Sequence, residues 1–581
     1  MSKSKLSKEI MQNMTQAIAH RGPDGEGFYY GESFALGHRR LSIIDLSEKG
    51  EQPMSAHHNV ITYNGEIYNF QEIRDELMLH GYHFASNTDT EVVLAAYDLW
   101  GEKCVRKFNG MWAFVIFDIK NNKLFASRDR FGIKPFYWRK TKKYFAMVSE
   151  PKQLTFLPDW KPRLNKKRAF DFLSVGYHLH TLETMFEGVH ALPAGSNMIF
   201  DLTENKMDVY SYYDLTQVET DESMTFPEAI DSFKTLFEDA VRLRMISDVK
   251  SGSALSGGLD SSSIVCKMAE FTKELETVSA CFAKEGYDER LWMDAVVRDT
   301  NIISHRVFPD LDEFVNVLDR MTWLHDEPIV WPALYTQYQV FSKAKVANIS
   351  VMLDGQGADE VLAGYPKFYK PYFKNLFKKS PFRLPREFVA FFQLHSISPK
   401  DAFRQAAAFA KKGKQKINWL DPDFAQASYQ RKPESTIREV SLNLISEVGL
   451  PALLHYEDRN SMAFSVESRL PFLDYRLVEL LIKMPDRFKI KNAKRKYILR
   501  ESLKDILPVE VYTRYDKMGY ETPFGEWMEK NKDFIRKELD DAITNLKGIV
   551  TPAIRTIKEP LVIWRVIAFN RWVKQFGVDG F

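Results

Sequence analysis

The sequence predicts two joined units of different class: a β-rich α+β unit over residues 1–205, a linker over 206–225, and an α/β unit with a parallel, doubly wound sheet and helical additions over 226–581. Three observations carry this. Short alternating or apolar runs broken by Gly, Asn and Asp fill the first unit, the pattern of half-buried strands joined by turns. Apolar runs alternate with helix-patterned stretches through the second, as in open parallel sheets. At the first strand-to-helix join of that alternation lies Ser256-Gly257-Gly258-Leu259-Asp260-Ser261-Ser262, a tight turn that presents backbone N–H groups and a helix start to a polyanion.

Composition bounds the class before any motif does. The chain has 581 residues, 45% of them hydrophobic and 27% charged, enough for two ordinary globular cores. Its 80 basic and 78 acidic residues leave a net charge of +2, so no global field directs it to nucleic acid. Cys104, Cys266 and Cys281 are too few and too widely spaced for a disulfide framework or a zinc site, which predicts a reducing, cytoplasmic setting. No apolar run approaches the ~18 residues of a membrane span, and residues 1–14 lack the apolar core of a secretory signal. Neither nucleic acid nor a membrane is expected as a partner.

In chain order, strands are predicted at 35–44, 60–63, 111–119, 123–127, 145–148 and 197–200, and helices at 5–19 and 70–80. Thr216, Glu219, Asp221 and Glu222 mark the polar linker, and Ile230, Phe233, Phe237 and Val241 then repeat at helical spacing. Strands at 277–282, 302–307 and 349–353 alternate with helices at 291–298, 311–318 and 335–345. Open sheets of this kind bind ligands at the carboxyl ends of their strands, so a nucleotide belongs at the Ser-Gly turn. Residues 366–440 are rich in Lys, Phe and Pro; the spacing of Phe368, Tyr372, Phe373 and Phe377 predicts a helical insertion with a solvated basic face.

The second unit carries further chemistry. The Asp260 carboxylate beside a phosphate cradle suits a Mg²⁺ ligand. A second strand–turn–helix, Asp354-Gly355-Gln356-Gly357-Ala358-Asp359-Glu360, sets adjacent acids at a helix start, where an ordinary N-terminal cap is the competing reading. Asp458, Arg459, Glu467 and Arg469 suit either a structural ion network or the ammonium and carboxylate of an amino acid. Lys494-Arg495-Lys496-Tyr497 adds a basic cluster.

The Ser-Gly run resembles the pyrophosphate loop of the ATP pyrophosphatases. Together with the second turn and the segments 456–474, 494–500 and 517–524, it resembles the asparagine synthetases. That resemblance implies ATP and pyrophosphate contacts from Leu255, Ser256, Gly257, Gly258, Leu259, Asp260, Ser261, Ser262, Cys281, Asp354 and Gly355, and Mg²⁺ ligation by Asp260 and Asp359. It implies that Asp458, Arg459, Glu467 and Arg469 bind the acid substrate, and that Lys496, Gln356 and Glu360 take catalytic roles, Lys496 by neutralising phosphate charge. Family members often carry Glu at the position of Gln356; an amide can donate and accept hydrogen bonds but cannot act as a base.

In the first unit, His20-Arg21-Gly22-Pro23-Asp24, the run around Arg40, Tyr63-Asn64-Gly65-Glu66, Thr88-Asp89 and Arg128-Asp129-Arg130-Phe131-Gly132 resemble the class II glutamine amidotransferase domain. The implied fold is the N-terminal-nucleophile hydrolase sandwich of two antiparallel sheets, which releases ammonia from glutamine. Arg40, Asn64, Gly65, Glu66 and Asp89 match the positions that hold glutamine. In that family the nucleophile is an N-terminal cysteine on a first strand. Residue 2 here is Ser2, the first cysteine is Cys104, and residue 5 onward reads as the following helix. The expectation is a missing first strand and an inactive glutaminase half, explained by a start assigned too far downstream, a naturally disabled glutaminase or a truncation.

The expected function is that of an ATP-dependent ligase that adenylates aspartate and lets ammonia form asparagine, AMP and pyrophosphate. A related ligase acting on a sugar acid, a peptide or a specialised metabolite, including one of the β-lactam synthetase kind, stays open, as does a non-catalytic homologue. The partners implied are the acid, glutamine or ammonia, ATP, and a second copy of the chain in a homodimer.

Overall fold

The computed structural model describes residues 7–284, 286–395, 417–424, 429–431, 433–515 and 522–580. Ser2, Lys411, Lys412, Lys414, Lys416 and residues 517–521 lie outside them.

Alternation of side chains along the strands builds the first unit. A six-stranded antiparallel sheet runs in the order Lys206–Ser211, Ser196–Asp201, Lys123–Arg128, Gly110–Asp118, Asn59–Ile67, Met54–Ala56. One face presents Ile61, Tyr63, Phe114, Ile116 and Phe125 to the helices Phe70–Leu79 and Asp89–Trp100. The other presents Val60, Val115, Leu124, Ala126 and Met198 to Leu36, Phe136 and Leu192. Those last residues belong to or flank two small antiparallel sheets: the hairpin Gly25–Tyr30 with Ala35–Arg40, and Tyr137–Lys140 between Phe145–Val148 and His190–Ala191. Residues one apart thus enter different cores, as period-two alternation requires.

The structure moves one boundary. Lys206–Ser211 pairs with Ser196–Asp201 across a turn in which Asn205 takes a left-handed φ of 56°, so the first unit extends past residue 205 to Ser211. This edge strand is mostly exposed and polar, which is why its pattern reads as linker.

The second unit opens with helix Phe226–Arg244, which a capping box of Thr225 and Glu228 starts. Its five-stranded sheet is parallel throughout, in the order Ile303–Val307, Glu276–Ala280, Ser251–Ala254, Val351–Leu353, Glu467–Arg469. The chain begins at the central strand, builds outward on one side, and returns to the other at Val351–Leu353. That reversal opens a crevice beyond the carboxyl ends of the two central strands.

Charged side chains bury the contact between the units. Arg21 donates to Glu150 at 2.8 Å and to Asp458 at 2.7 and 2.8 Å. Arg459 lies 2.9 Å from Glu150 and 3.2 Å from Asp326, and Lys152 lies 3.2 Å from Asp326. Burial raises the Glu150 pKa, but Arg459 and Lys152 outweigh it and hold the carboxyl well below the usual range. Burial pushes Asp326 up to about 6 against the pull of Lys152 and Arg459. A second crossing joins Lys134 to Glu467 at 3.4 Å; Glu467 accepts from Arg469 at 2.9 Å, and Arg469 reaches within 3.8 Å of Glu66.

The four residues expected to bind the acid substrate take part in these ion pairs. Asp458 and Arg459 on helix Leu450–Met462, and Glu467 and Arg469 on the edge strand, turn toward the first unit and neutralise one another and its charges. Charges buried this deeply need partners, and here the partners are protein groups.

Arg459→Ala should lower the unfolding free energy by about 3–5 kcal/mol, because it leaves Glu150 and Asp326 buried beside too few cations. Denaturant unfolding of the full chain measures this, and a loss below 1 kcal/mol would show that the network does not hold the interface.

Candidate active sites

The nucleotide cradle grows from local geometry. Helix Leu259–Phe271 follows Gly258 with no side-chain cap, which leaves its first N–H groups for a ligand. Gly257 has a φ of 69°, and a Cβ there would lie 2.9 Å from the Met293 nitrogen, so the turn requires glycine. Ser256 N–H donates to Ser261 Oγ at 3.2 Å, and the two hydroxyl oxygens lie 3.0 Å apart, drawing both side chains to one point.

Beyond this turn lies a cavity of about 510 Å³ whose lining includes Ser256, Asp260, Ser261, Asp354, Gly355, Gln356 and Asp359. Lys496, itself in a left-handed conformation with φ 55°, projects its ammonium between the carboxylates. The Nζ lies 2.7 and 2.6 Å from the two oxygens of Asp260 and also pairs with Asp359. Two carboxylates from two separate turns thus share one cation position. Gly364 makes this approach feasible: a Cβ there would stand 1.8 Å from Asp359 Oδ1 and 2.5 Å from Lys496 Cε. Glu360, one residue on, is buried, with Tyr365 donating to it at 2.6 Å; burial first, then Asp359, pushes its carboxyl up to about 7.

Among the described residues no group of three or more His, Cys, Asp or Glu is arranged to hold a metal. A pair of carboxylates at a phosphate cradle instead suits Mg²⁺, which completes its shell with phosphate oxygens and water.

Several expected contacts lie behind the cavity wall. Leu255 and Leu259 pack in the core beneath the turn, and Ser262 is fully buried with no partner for its hydroxyl. Cys281 is buried with its sulfur 3.9 Å from Met293, burial raises its thiol pKa, and it does not line the cavity. None of Asp458, Arg459, Glu467 and Arg469 lines it either. The far wall is Trp331, Leu334, Tyr365, Leu453, Tyr456 and Phe524. Tyr456 and Phe524 lie in segments already singled out in the sequence, and Tyr365 stands just after the second turn; Trp331 sits in a loop, where periodicity carries no signal.

The first unit holds a smaller cavity of about 180 Å³, and all five residues expected at glutamine line it: Arg40, Asn64, Gly65, Glu66 and Asp89. Arg40 donates to the Ser47 carbonyl at 2.7 Å, and a Cβ on Gly50 would fall 2.0 Å from its Nη2, so both fix the guanidinium. Asp89 accepts from Tyr63 OH at 2.8 Å and from the Ile67 N–H at 2.9 Å. Asn64 Nδ2 and Glu66 Oε2 are buried without a partner, as befits groups that meet a polar ligand. Burial pushes Asp89 up to about 6 and, with Asp89 next to it, Glu66 well above the usual range.

Fold and sites together define a two-domain class: an antiparallel sandwich with an amino-acid-sized polar pocket, joined to a parallel α/β domain with a nucleotide cradle at its switch point. The chain belongs to the asparagine synthase family, whose model, "Asparagine synthase", matches residues 232–567, while a "Glutamine amidotransferase domain" model matches residues 1–213. It is 31% identical to asparagine synthetase (glutamine-hydrolyzing) 1 of Bacillus subtilis over 97% of this chain and 93% of that one. It is 36% identical to a putative asparagine synthetase (glutamine-hydrolyzing) 2 of Methanocaldococcus jannaschii over 64% of this chain and 76% of that one. A match at 25% identity, spanning 98% of this chain and 94% of the other, is to Amidase chyE of Penicillium rubens.

Gly364→Ala should cut nucleotide-dependent pyrophosphate release by about 100-fold or more, since a displaced Asp359 or Lys496 loses the charge placement on which electrostatic catalysis rests. Thermal unfolding of the same variant separates this from a folding defect, and near-normal release would show that the pocket tolerates the shift.

Proposed function

We propose that the chain is an ATP-dependent amide-forming ligase that converts aspartate into asparagine by way of an acyl-adenylate. The convergence of Asp260, Asp359 and Lys496 on one point beside the uncapped start of helix Leu259–Phe271 carries this reading. In the first step a substrate carboxylate oxygen attacks the α-phosphorus of ATP, the bond to the β-phosphate oxygen breaks, and pyrophosphate departs with the electron pair. In the second, ammonia attacks the acyl carbon, AMP leaves, and the surplus proton passes to solvent. Adenylation replaces hydroxide, a poor leaving group, with AMP.

Each residue has a defined task in this scheme. The Ser256 and Ser261 hydroxyls and the N–H groups after Gly258 cradle the pyrophosphate. Asp260 and Asp359 would hold Mg²⁺, which supplies charge neutralisation on the phosphates. Lys496 contributes a fixed positive charge where negative charge develops. Gln356 orients substrate by hydrogen bonding and takes no proton.

The nitrogen enters as ammonia, drawn from glutamine or from added ammonium. Cys104, Cys266 and Cys281 are all buried, and none lines the glutamine-sized cavity. Three free buried thiols also suit a cytoplasmic setting; no described helix is long and apolar enough to cross a membrane. That cavity remains suited to binding glutamine, with Arg40 at the α-carboxylate and Asp89 or Glu66 at the α-ammonium.

A second acid is favoured by one observation. Trp331, Leu334, Leu453, Phe524 and Leu561 make one wall of the synthetase cavity apolar, which suits an acid bulkier than aspartate.

Asp260→Ala and Asp359→Ala should each reduce pyrophosphate release by about 100-fold or more, and undiminished release in either variant would refute the metal assignment. A release assay over a panel of acids with ammonium as donor should select aspartate; selection of a larger acid instead establishes the second reading. Glutamine affinity, followed by calorimetry, should weaken by about tenfold per pH unit as pH falls below 6, because protonated Asp89 no longer attracts an ammonium; a flat profile removes Asp89 from that role.

A further inference from the structure

Immediately after Tyr365, which lines the synthetase cavity, the chain forms two helices, Tyr369–Lys379 and Leu384–Leu394, joined by the short turn Pro381–Arg383. Their inner faces hold together through aromatic contacts: the Phe373 and Phe388 rings stack with centroids 4.5 Å apart, and Tyr369 meets Phe391 edge-on at 4.9 Å. The hairpin is anchored along its length: at its start Tyr369 donates to the Ala493 carbonyl at 2.7 Å, and in the first turn of the second helix Glu387 accepts from the Asn492 and Ala493 N–H groups.

The tip is built differently. Phe377 is 69% exposed and Phe382 80%, and Phe388 and Val389 are exposed beside them. Such exposed aromatic side chains around a connecting turn are not what a solvated helix surface requires. They share their elements with cations: Lys370, Lys374, Lys378, Lys379, Arg383 and Arg386 stand on the same two helices and turn, whose one acid, Glu387, is buried. Among the described residues Lys370, Lys378 and Arg386 have no carboxylate partner; Lys379 meets Glu222 at 3.4 Å and Arg383 lies 3.8 Å from Glu387. The whole chain carries a net charge of only +2, so this concentration of positive charge is local.

We propose that this hairpin tip docks on an anionic lipid bilayer, with Phe377 and Phe382 entering the headgroup region and the lysines and arginines of the same elements pairing with lipid phosphates. Aromatic side chains among cations suit this boundary, where one part of the contact is apolar and the other negatively charged. A nucleic acid duplex would engage the cations but, with its bases already stacked, leave the phenylalanines in water, and an apolar protein groove would leave the cations unpaired. Docking on a surface needs no spanning helix and is compatible with the lack of one among the described residues. Because the hairpin follows the cavity wall in the chain, docking would hold the synthetase site close to the membrane.

Sedimentation of the full chain with vesicles tests this. The protein should pellet with vesicles of phosphatidylcholine and phosphatidylglycerol, remain in solution with phosphatidylcholine alone, and dissociate as salt is raised. The double variant F377D/F382D should weaken the partitioning by about tenfold or more, since each phenylalanine loses its apolar burial, while pyrophosphate release in solution stays at the wild-type rate. Failure of the folded wild-type protein to bind anionic vesicles overturns the proposal. So does binding that the double variant retains in full, a self-association in light scattering that F377D/F382D abolishes without any lipid binding, or capture of RNA in place of vesicles.

Discussion

Arg459 lies under the contact between the two units with its guanidinium between Glu150 and Asp326, and most of the architecture follows from the need to satisfy it. Three carboxylates (Glu150, Asp326, Asp458) and three cations (Arg21, Lys152, Arg459) balance one another there, drawn from both units. Buried charge of this density tolerates no slippage: a shift that separates one pair strands another in a low-dielectric interior. The two units consequently have one relative placement, and helix Leu450–Met462, which contributes Asp458 and Arg459, also contributes Tyr456 to the wall of the nucleotide cavity. Interface and active site share a single rigid element.

The synthetase site applies the same rule with a different outcome. Asp260 and Asp359 come from turns far apart in the chain, and the parallel sheet sets them opposite each other because Ser251–Ala254 and Val351–Leu353 are adjacent strands. Their shared cation position is served by Lys496, and glycine at 364 leaves the space for it. In the smaller cavity the carboxyls of Glu66 and Asp89 are buried near each other and near Glu467, and their pKa values rise accordingly. In the interface network each charged group faces an opposite charge, whereas the smaller cavity keeps Asn64 Nδ2 and Glu66 Oε2 without a partner.

Much of the fold was legible in the sequence because its signals were local. The apolar runs 60–63 and 111–119 mark strands, although only the fold divides their residues between two cores, and the strand–turn–helix around Gly257 identifies the cradle through a positive φ that favours glycine. Helices at 291–298, 311–318 and 335–345 lie within the observed Arg290–Thr300, Leu311–His325 and Leu334–Val346. The strands Gly25–Tyr30, Tyr137–Lys140 and Lys206–Ser211 were not legible, since each is short or exposed and takes its conformation from its neighbours rather than from its own pattern.

By itself the sequence determined the turns and the residue types at the phosphate cradle, which depend on contacts within a few positions; Arg40, Asn64, Gly65, Glu66 and Asp89 were singled out by their resemblance to the amidotransferase domain, and the fold gathers them around the smaller cavity. Tertiary structure alone supplied the partners of the clustered charges. Asp458, Arg459, Glu467 and Arg469 read equally well as a substrate grip or an ion network, and the fold sets Arg21, Glu150 and Lys134 of the first unit against them. The physical reason is that a charge is defined by its partners, and partners hundreds of positions away leave no trace in local spacing.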